Sequence, residues 1–116
     1  MLFAQKKDGT KRLCIDYRAL NKITLKDKYP IPRIDELLDN MAGAQYFTKL
    51  ELQQGYHQIC IKTEHVPSTA FQTNIGSFQV RVMPFGLTNA TATFQRTMNN
   101  LLADCRALQT FISMIL

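Results

Sequence analysis

TAFQTNIGSFQVRVMPFGLTNATATFQRTMNNLL, residues 69–102, decides the fold class. Its first half alternates: Phe78, Val80 and Val82 fall on one face of an extended segment, Gln79, Arg81 and Met83 on the other. Asn74-Ile75-Gly76-Ser77 supplies a turn, so residues 69–73 and 78–82 read as a β-hairpin with one apolar face. Past the loop Pro84-Phe85-Gly86 the period changes. Ala90, Phe94, Thr97, Met98, Leu101 and Leu102 recur at helical spacing, predicting a helix over residues 89–103 with Asn89 as N-cap.

Working outward, residues 2–4 read as a strand end and Lys7-Asp8-Gly9-Thr10 as a turn with Gly at the position that tolerates positive φ. Leu13, Ile15 and Tyr17 alternate with Arg12, Cys14 and Asp16, a second strand, so the chain opens with a basic hairpin. Tyr29-Pro30-Ile31-Pro32 cannot be helical, because each proline fixes its own φ and pushes its predecessor toward extended backbone. Ile34, Leu37, Leu38 and Met41 then mark a short helix that Gly43 ends. Residues 46–52 read as a strand, broken at Gly55, with Tyr56-His57-Gln58 in a turn or one helical turn. Ile59-Cys60-Ile61 is a further extended piece, and the apolar run 110–116 reads as a buried strand. The order is hairpin, helix, strand, hairpin, helix, strand. It predicts an α+β fold, an antiparallel sheet with two helices packed on it. A strand at each terminus with nothing beyond reads as a segment of a larger domain.

The net charge of +5 is unevenly placed. Residues 1–28 carry eight bases against three acids, and residues 29–116 carry six of each. This placement suits a localised anionic partner better than diffuse basicity, while on composition alone a solvated lysine-rich surface is the plainer reading. An apolar content of 46% argues against disorder. No run approaches a membrane span, and Met1 to Gln5 is too short for a signal peptide, so the expected setting is intracellular. Cys14, Cys60 and Cys105 are widely spaced and odd in number, which indicates neither a disulfide framework nor a zinc site. His57 and His65 have no acidic or cysteine partner at catalytic spacing.

Residues 6–59, KKDGTKRLCIDYRALNKITLKDKYPIPRIDELLDNMAGAQYFTKLELQQGYHQI, followed by the block 69–102, resemble the fingers-and-palm region of reverse transcriptases of gypsy-type LTR retrotransposons. The blocks stand in that family's order and spacing and cover nearly the whole chain. The resemblance implies a partial right-hand polymerase domain, with about residues 1–45 and 59–83 fingers-like and about 46–58 and 84–116 palm-like. It implies an RNA-directed DNA polymerase as parent, which adds deoxynucleotides to a primer by two-Mg²⁺ phosphoryl transfer. The parent's partners are a primer–template of RNA or DNA, a deoxynucleoside triphosphate and the rest of the polymerase polyprotein, with no membrane.

Carried over residue by residue, the resemblance puts Glu51 at a catalytic, Mg²⁺-binding position where the family has Asp. Lys6 and Arg12 correspond to fingers residues on the incoming triphosphate. Gln53, Gln54, Tyr56 (the steric gate under the sugar), Phe85 and Gly86 complete the nucleotide site. Arg18, Asn21 and Gln95 correspond to residues that grip the template. Lys11, Cys60 and Thr91 depart from the family's habits, and no Asp follows Asp104: either the chain ends just before the YxDD motif or the motif is lost, and the motif and the thumb are expected to be absent from these residues. With Glu51 the one surviving acid, the chain alone is expected to be inactive. The rival expectations are a non-catalytic nucleic-acid-binding remnant and a degenerate product without function.

Overall fold

Gln5 and Lys11 face one another across the first hairpin, and the pairing runs back to Leu2 opposite Cys14. Strands β1 (Leu2–Gln5) and β2 (Lys11–Cys14) form this ladder in a computed structural model that describes residues 2–30 and 33–104. Gly9 closes the turn at φ 81°, its N–H donating to the Lys6 carbonyl, and the Asp8 carboxylate accepts from the Thr10 amide and hydroxyl. The Thr10 hydroxyl and amide hold the Asp8 carboxyl below its usual range, with Lys6 adding a smaller attraction.

Helix α1 (Arg18–Ile23) follows and was not expected. It has six residues and no buried side chain, so it carries no apolar stripe for a periodicity argument to find. Its first turn is held by Asp16, whose carboxylate accepts the Arg18 amide at 3.0 Å. Helix α2 (Ile34–Asn40) appears where the spacing predicts it, and Gly43 follows at φ 84°. Its expected apolar stripe is not buried, since Ile34 and Leu38 are exposed.

Residues 46–52 depart from expectation. They form no strand, and Tyr46, Phe47, Leu50 and Leu52 are exposed. A strand is stabilised by a hydrogen-bonded neighbour, and no described segment pairs with this one. The expected strand over 110–116 lies outside the described residues.

Two 3₁₀ turns, Gly55–Gln58 and Thr63–Thr69, flank the 59–61 segment. That segment pairs antiparallel with 81–83 through a single bridge, Cys60 opposite Val82, with Ile61 N–H donating to the Arg81 carbonyl and Met83 N–H to the Ile59 carbonyl, both at 2.8 Å. β3 (Phe71–Thr73) and β4 (Gly76–Phe78) form the hairpin beyond it. The returning strand is shorter than its alternation predicts. The Thr69 hydroxyl accepts the Val80 N–H at 3.0 Å and donates to the Val66 carbonyl at 2.6 Å, replacing ladder bonds with side-chain ones. Helix α3 (Ala90–Leu101) closes the described chain two residues inside its expected end.

The α+β composition holds, but among the described residues the expected single sheet is two separate two-stranded sheets. The described residues divide into two compact units, those up to 26 with 54–90 and those of 27–53 with 91–104. The first unit buries Tyr17, Tyr56, Thr69, Met83 and Ala90; the second buries Ala92, Phe94 and Gln95. No helix among the described residues is long and apolar enough to cross a membrane.

Candidate nucleotide and template site

Phe85 organises the first unit. It sits in the loop between the second hairpin and α3, and Gly86 after it adopts φ 98°, a conformation that favours glycine. A Cβ at Gly86 would lie 3.6 Å from the Ile15 carbonyl oxygen and 3.7 Å from the Tyr17 ring, so the loop passes close over the end of the first hairpin. The Tyr56 ring packs against Phe85 with centroids 5.0 Å apart, and His57 meets the same ring edge-on at 5.6 Å. The Arg12 guanidinium lies over the Phe85 ring, 4.6 Å from its centroid. A planar cation stacked this way keeps its N–H groups directed outward in its own plane. Among the described residues that guanidinium has no hydrogen-bond or ion-pair partner, whereas Arg18, Arg33 and Arg96 each bond a carboxylate.

Tyr56 is 5% exposed. Gln54, at the entry to its turn, takes the left-handed conformation at φ 49°, which strains a residue with a Cβ by about 1–2 kcal/mol. Its backbone carbonyl accepts the His57 N–H at 2.8 Å, and its Oε1 lies 3.4 Å from His57 Nδ1. His57 is exposed yet joins this cluster. Its adjacency to Tyr56 in a tight turn was the one available signal. Lys6 stands exposed where the first hairpin turns, its backbone N–H donating to the Thr10 carbonyl.

The residues carried over as template-gripping have internal partners. Arg18 chelates Asp16 through three side-chain hydrogen bonds of 2.6 to 3.0 Å. These bonds, with the Arg18 amide, draw the Asp16 carboxyl down to about 2. A carboxyl depressed in the fold contributes stability that is present above its ordinary 3.8 and lost as pH falls toward 2. In Arg18→Ala the Asp16 carboxyl therefore titrates nearer 3.8, which NMR of its side-chain carbon follows directly; a midpoint that stays near 2 contradicts the assignment. Asn21 binds the backbone of the Phe85 loop, accepting from Thr88 N–H at 2.8 Å and donating to the Gly86 carbonyl at 2.7 Å.

In the second unit Gln95 is buried and donates to Asn99, which donates to the Tyr29 hydroxyl at 2.8 Å. One helical turn away, Arg96 bonds Asp27 at 2.7 Å and lies over the Tyr29 ring. Thus α3 holds the 27–29 segment. Gln53 and Glu51 are both exposed. Glu51 pairs with Lys49 at 3.6 Å. Mg²⁺ requires several hard oxygen ligands in octahedral geometry. No group of three or more His, Cys, Asp or Glu able to hold a metal stands together among the described residues, and 105–116 contain no carboxylate. One exposed glutamate beside a lysine does not fit a two-Mg²⁺ centre.

A basic hairpin arm, a strained aromatic turn and a glycine-bearing loop gather around one ring. The model of one family, reverse transcriptase (RNA-dependent DNA polymerase), matches residues 4–114. The chain belongs to this family. It is 59% identical over 93 residues to an RNA-directed DNA polymerase homolog of Oenothera berteroana, covering 80% of this chain and 66% of that protein. It is also similar to retrovirus-related Pol polyproteins of Drosophila melanogaster, at 53% identity over 91 residues for transposon 297 and 43% over 94 for transposon gypsy. Those matches cover 78% and 81% of this chain and 9% of each polyprotein. The kinship is thus with the retrotransposon branch, gypsy included.

Proposed function

We propose that this chain forms part of an RNA-directed DNA polymerase, contributing fingers-like (about 1–45 and 59–83) and palm-like (about 46–58 and 84–116) segments. Its first unit faces a deoxynucleoside triphosphate and the phosphates of a primer–template. The chain alone binds these and does not polymerise. The observation that carries the reading is Arg12: a guanidinium supported on Phe85, its donor edge without a carboxylate among the described residues, beside a hairpin rich in lysine. Phosphate oxygens match that edge in bidentate geometry. Mg²⁺ belongs to the parent reaction, in which it would activate the primer hydroxyl and clamp the leaving phosphates; Glu51 by itself holds no such pair.

Binding tests the reading. Affinity of the full chain for a primer–template oligonucleotide falls as salt rises, because each neutralised phosphate releases counterions. Arg12→Ala weakens binding of the triphosphate dTTP by on the order of tenfold, the cost of a lost charge-assisted contact. It also lowers the salt slope for the primer–template by about one unit. Salt-independent affinity overturns the proposal, and so does an Arg12→Ala variant that binds dTTP normally.

A further inference from the structure

Asn21 is 65 residues from Gly86 in sequence, yet its carboxamide brackets the Phe85 loop from both chemical sides. The nitrogen donates to the Gly86 carbonyl at 2.7 Å and the oxygen accepts the Thr88 N–H at 2.8 Å. Only one orientation of the amide satisfies both bonds, since the reverse would set donor against donor and acceptor against acceptor. A second tie supports the same junction: the Asn89 side chain donates to the Leu25 carbonyl at 2.8 Å. The clamped residues immediately follow Phe85, the ring on which Arg12 and Tyr56 rest.

We propose that Asn21 is a positioning residue: its carboxamide clamp on Gly86 and Thr88 fixes the Phe85 ring and thereby holds the Arg12 guanidinium toward the triphosphate, without Asn21 touching that ligand. The inference rests on the triphosphate-binding reading above and replaces the template-gripping role that the resemblance assigns to Asn21. A half-buried side chain with both polar ends engaged by backbone is suited to shaping a loop. The positive φ of Gly86 makes the loop conformation one that few alternatives can reproduce, so a fixed hydrogen-bonding frame matters there.

The test uses the full chain, isotope-labelled, with dTTP as the probe. With the Arg12 guanidinium carbon 4.6 Å from the Phe85 ring centroid, the ring current is expected to shield the Arg12 Nε–Hε resonance. In Asn21→Ala that resonance moves toward its unstacked position, and the Kd for dTTP rises by about tenfold, as if the Arg12 contact were lost. Asn21→Asp keeps the acceptor for Thr88 N–H and loses the donor to Gly86, so both readouts fall between wild type and Asn21→Ala. An unmoved Arg12 resonance in Asn21→Ala overturns the positioning role. So does weaker binding of a single-stranded template oligonucleotide with unchanged dTTP affinity, which would indicate direct template contact. Loss of folding in both variants also overturns it, by assigning the carboxamide to general stability. Unchanged dTTP affinity in Arg12→Ala overturns the proposed function instead. The two failures are thus read from different variants.

Discussion

Tyr17→Ala destabilises the protein by about 3–5 kcal/mol, the usual cost of truncating a large buried aromatic side chain. Set against a total stability of roughly 5–15 kcal/mol for an ordinary domain, this brings the chain close to unfolding at room temperature. Tyr17 is 5% exposed, and its hydroxyl donates to the Thr69 carbonyl at 3.2 Å. Thr69 in turn organises the second hairpin through Val66 and Val80, so one side chain joins the first hairpin to the second. Tyr17→Phe keeps the ring and costs only about 1 kcal/mol, the net worth of one hydrogen bond. Urea denaturation of the three proteins checks the order; an Ala variant as stable as the Phe variant would remove the ring from the core. The hydroxyl adds an alkaline signature. Burial raises its pKa above the ordinary 10.0, so the fold favours the neutral form. That contribution is present below pH 10 and is lost as pH rises beyond it, and Tyr17→Phe abolishes the limb.

Local chemistry made some of this architecture legible and left some of it hidden. The first hairpin was readable because alternation and Gly9 agree on one turn, and α3 because its period changes cleanly after Gly86. Helix α1 was hidden because Arg18–Ile23 buries no side chain, and a helix that short depends on Asp16 and on distant backbone rather than on its own pattern. Residues 46–52 misled in the opposite direction. Their composition is strand-like, but a strand needs a partner, and composition does not supply one. Within the site, Arg12, Tyr56, Phe85 and Gly86 were reachable through the family resemblance, and the structure gathers them around one ring. The engagement of Asn21 with residues 86 and 88 left no trace in local sequence, because both bonds span more than 60 residues. The excess of positive charge on residues 1–28 was visible at once, but its use was not. Asp16 occupies Arg18, whereas Arg12 rests on a ring and among the described residues has no carboxylate partner, so equal formal charges are differently engaged.

A primer-extension reaction with this 116-residue chain, Mg²⁺ and all four deoxynucleoside triphosphates yields no extended product, and Glu51→Asp does not restore it. Two-metal transfer needs carboxylates that bridge or flank both ions. Glu51 is exposed and faces Lys49 at 3.6 Å, and residues 105–116 bring no acid. The extra methylene of Glu displaces the carboxylate by ~1.5 Å relative to Asp. A misplacement of ~1 Å at a reacting centre costs on the order of 100-fold, so if side-chain length were the sole defect, Glu51→Asp would recover activity by about that factor. The ligand count is the larger defect. Substituting Asp corrects the reach of one carboxylate and leaves the number unchanged, and among the described residues no cluster of acids stands ready for a second ion. Extension by the unmodified chain would show that the missing ligands are supplied in some other way. Recovery in Glu51→Asp alone would show that length, and not number, is what silences it. With both proteins silent while dTTP and primer–template still bind, the phosphate-holding part of the machinery is separable from the part that acts on it.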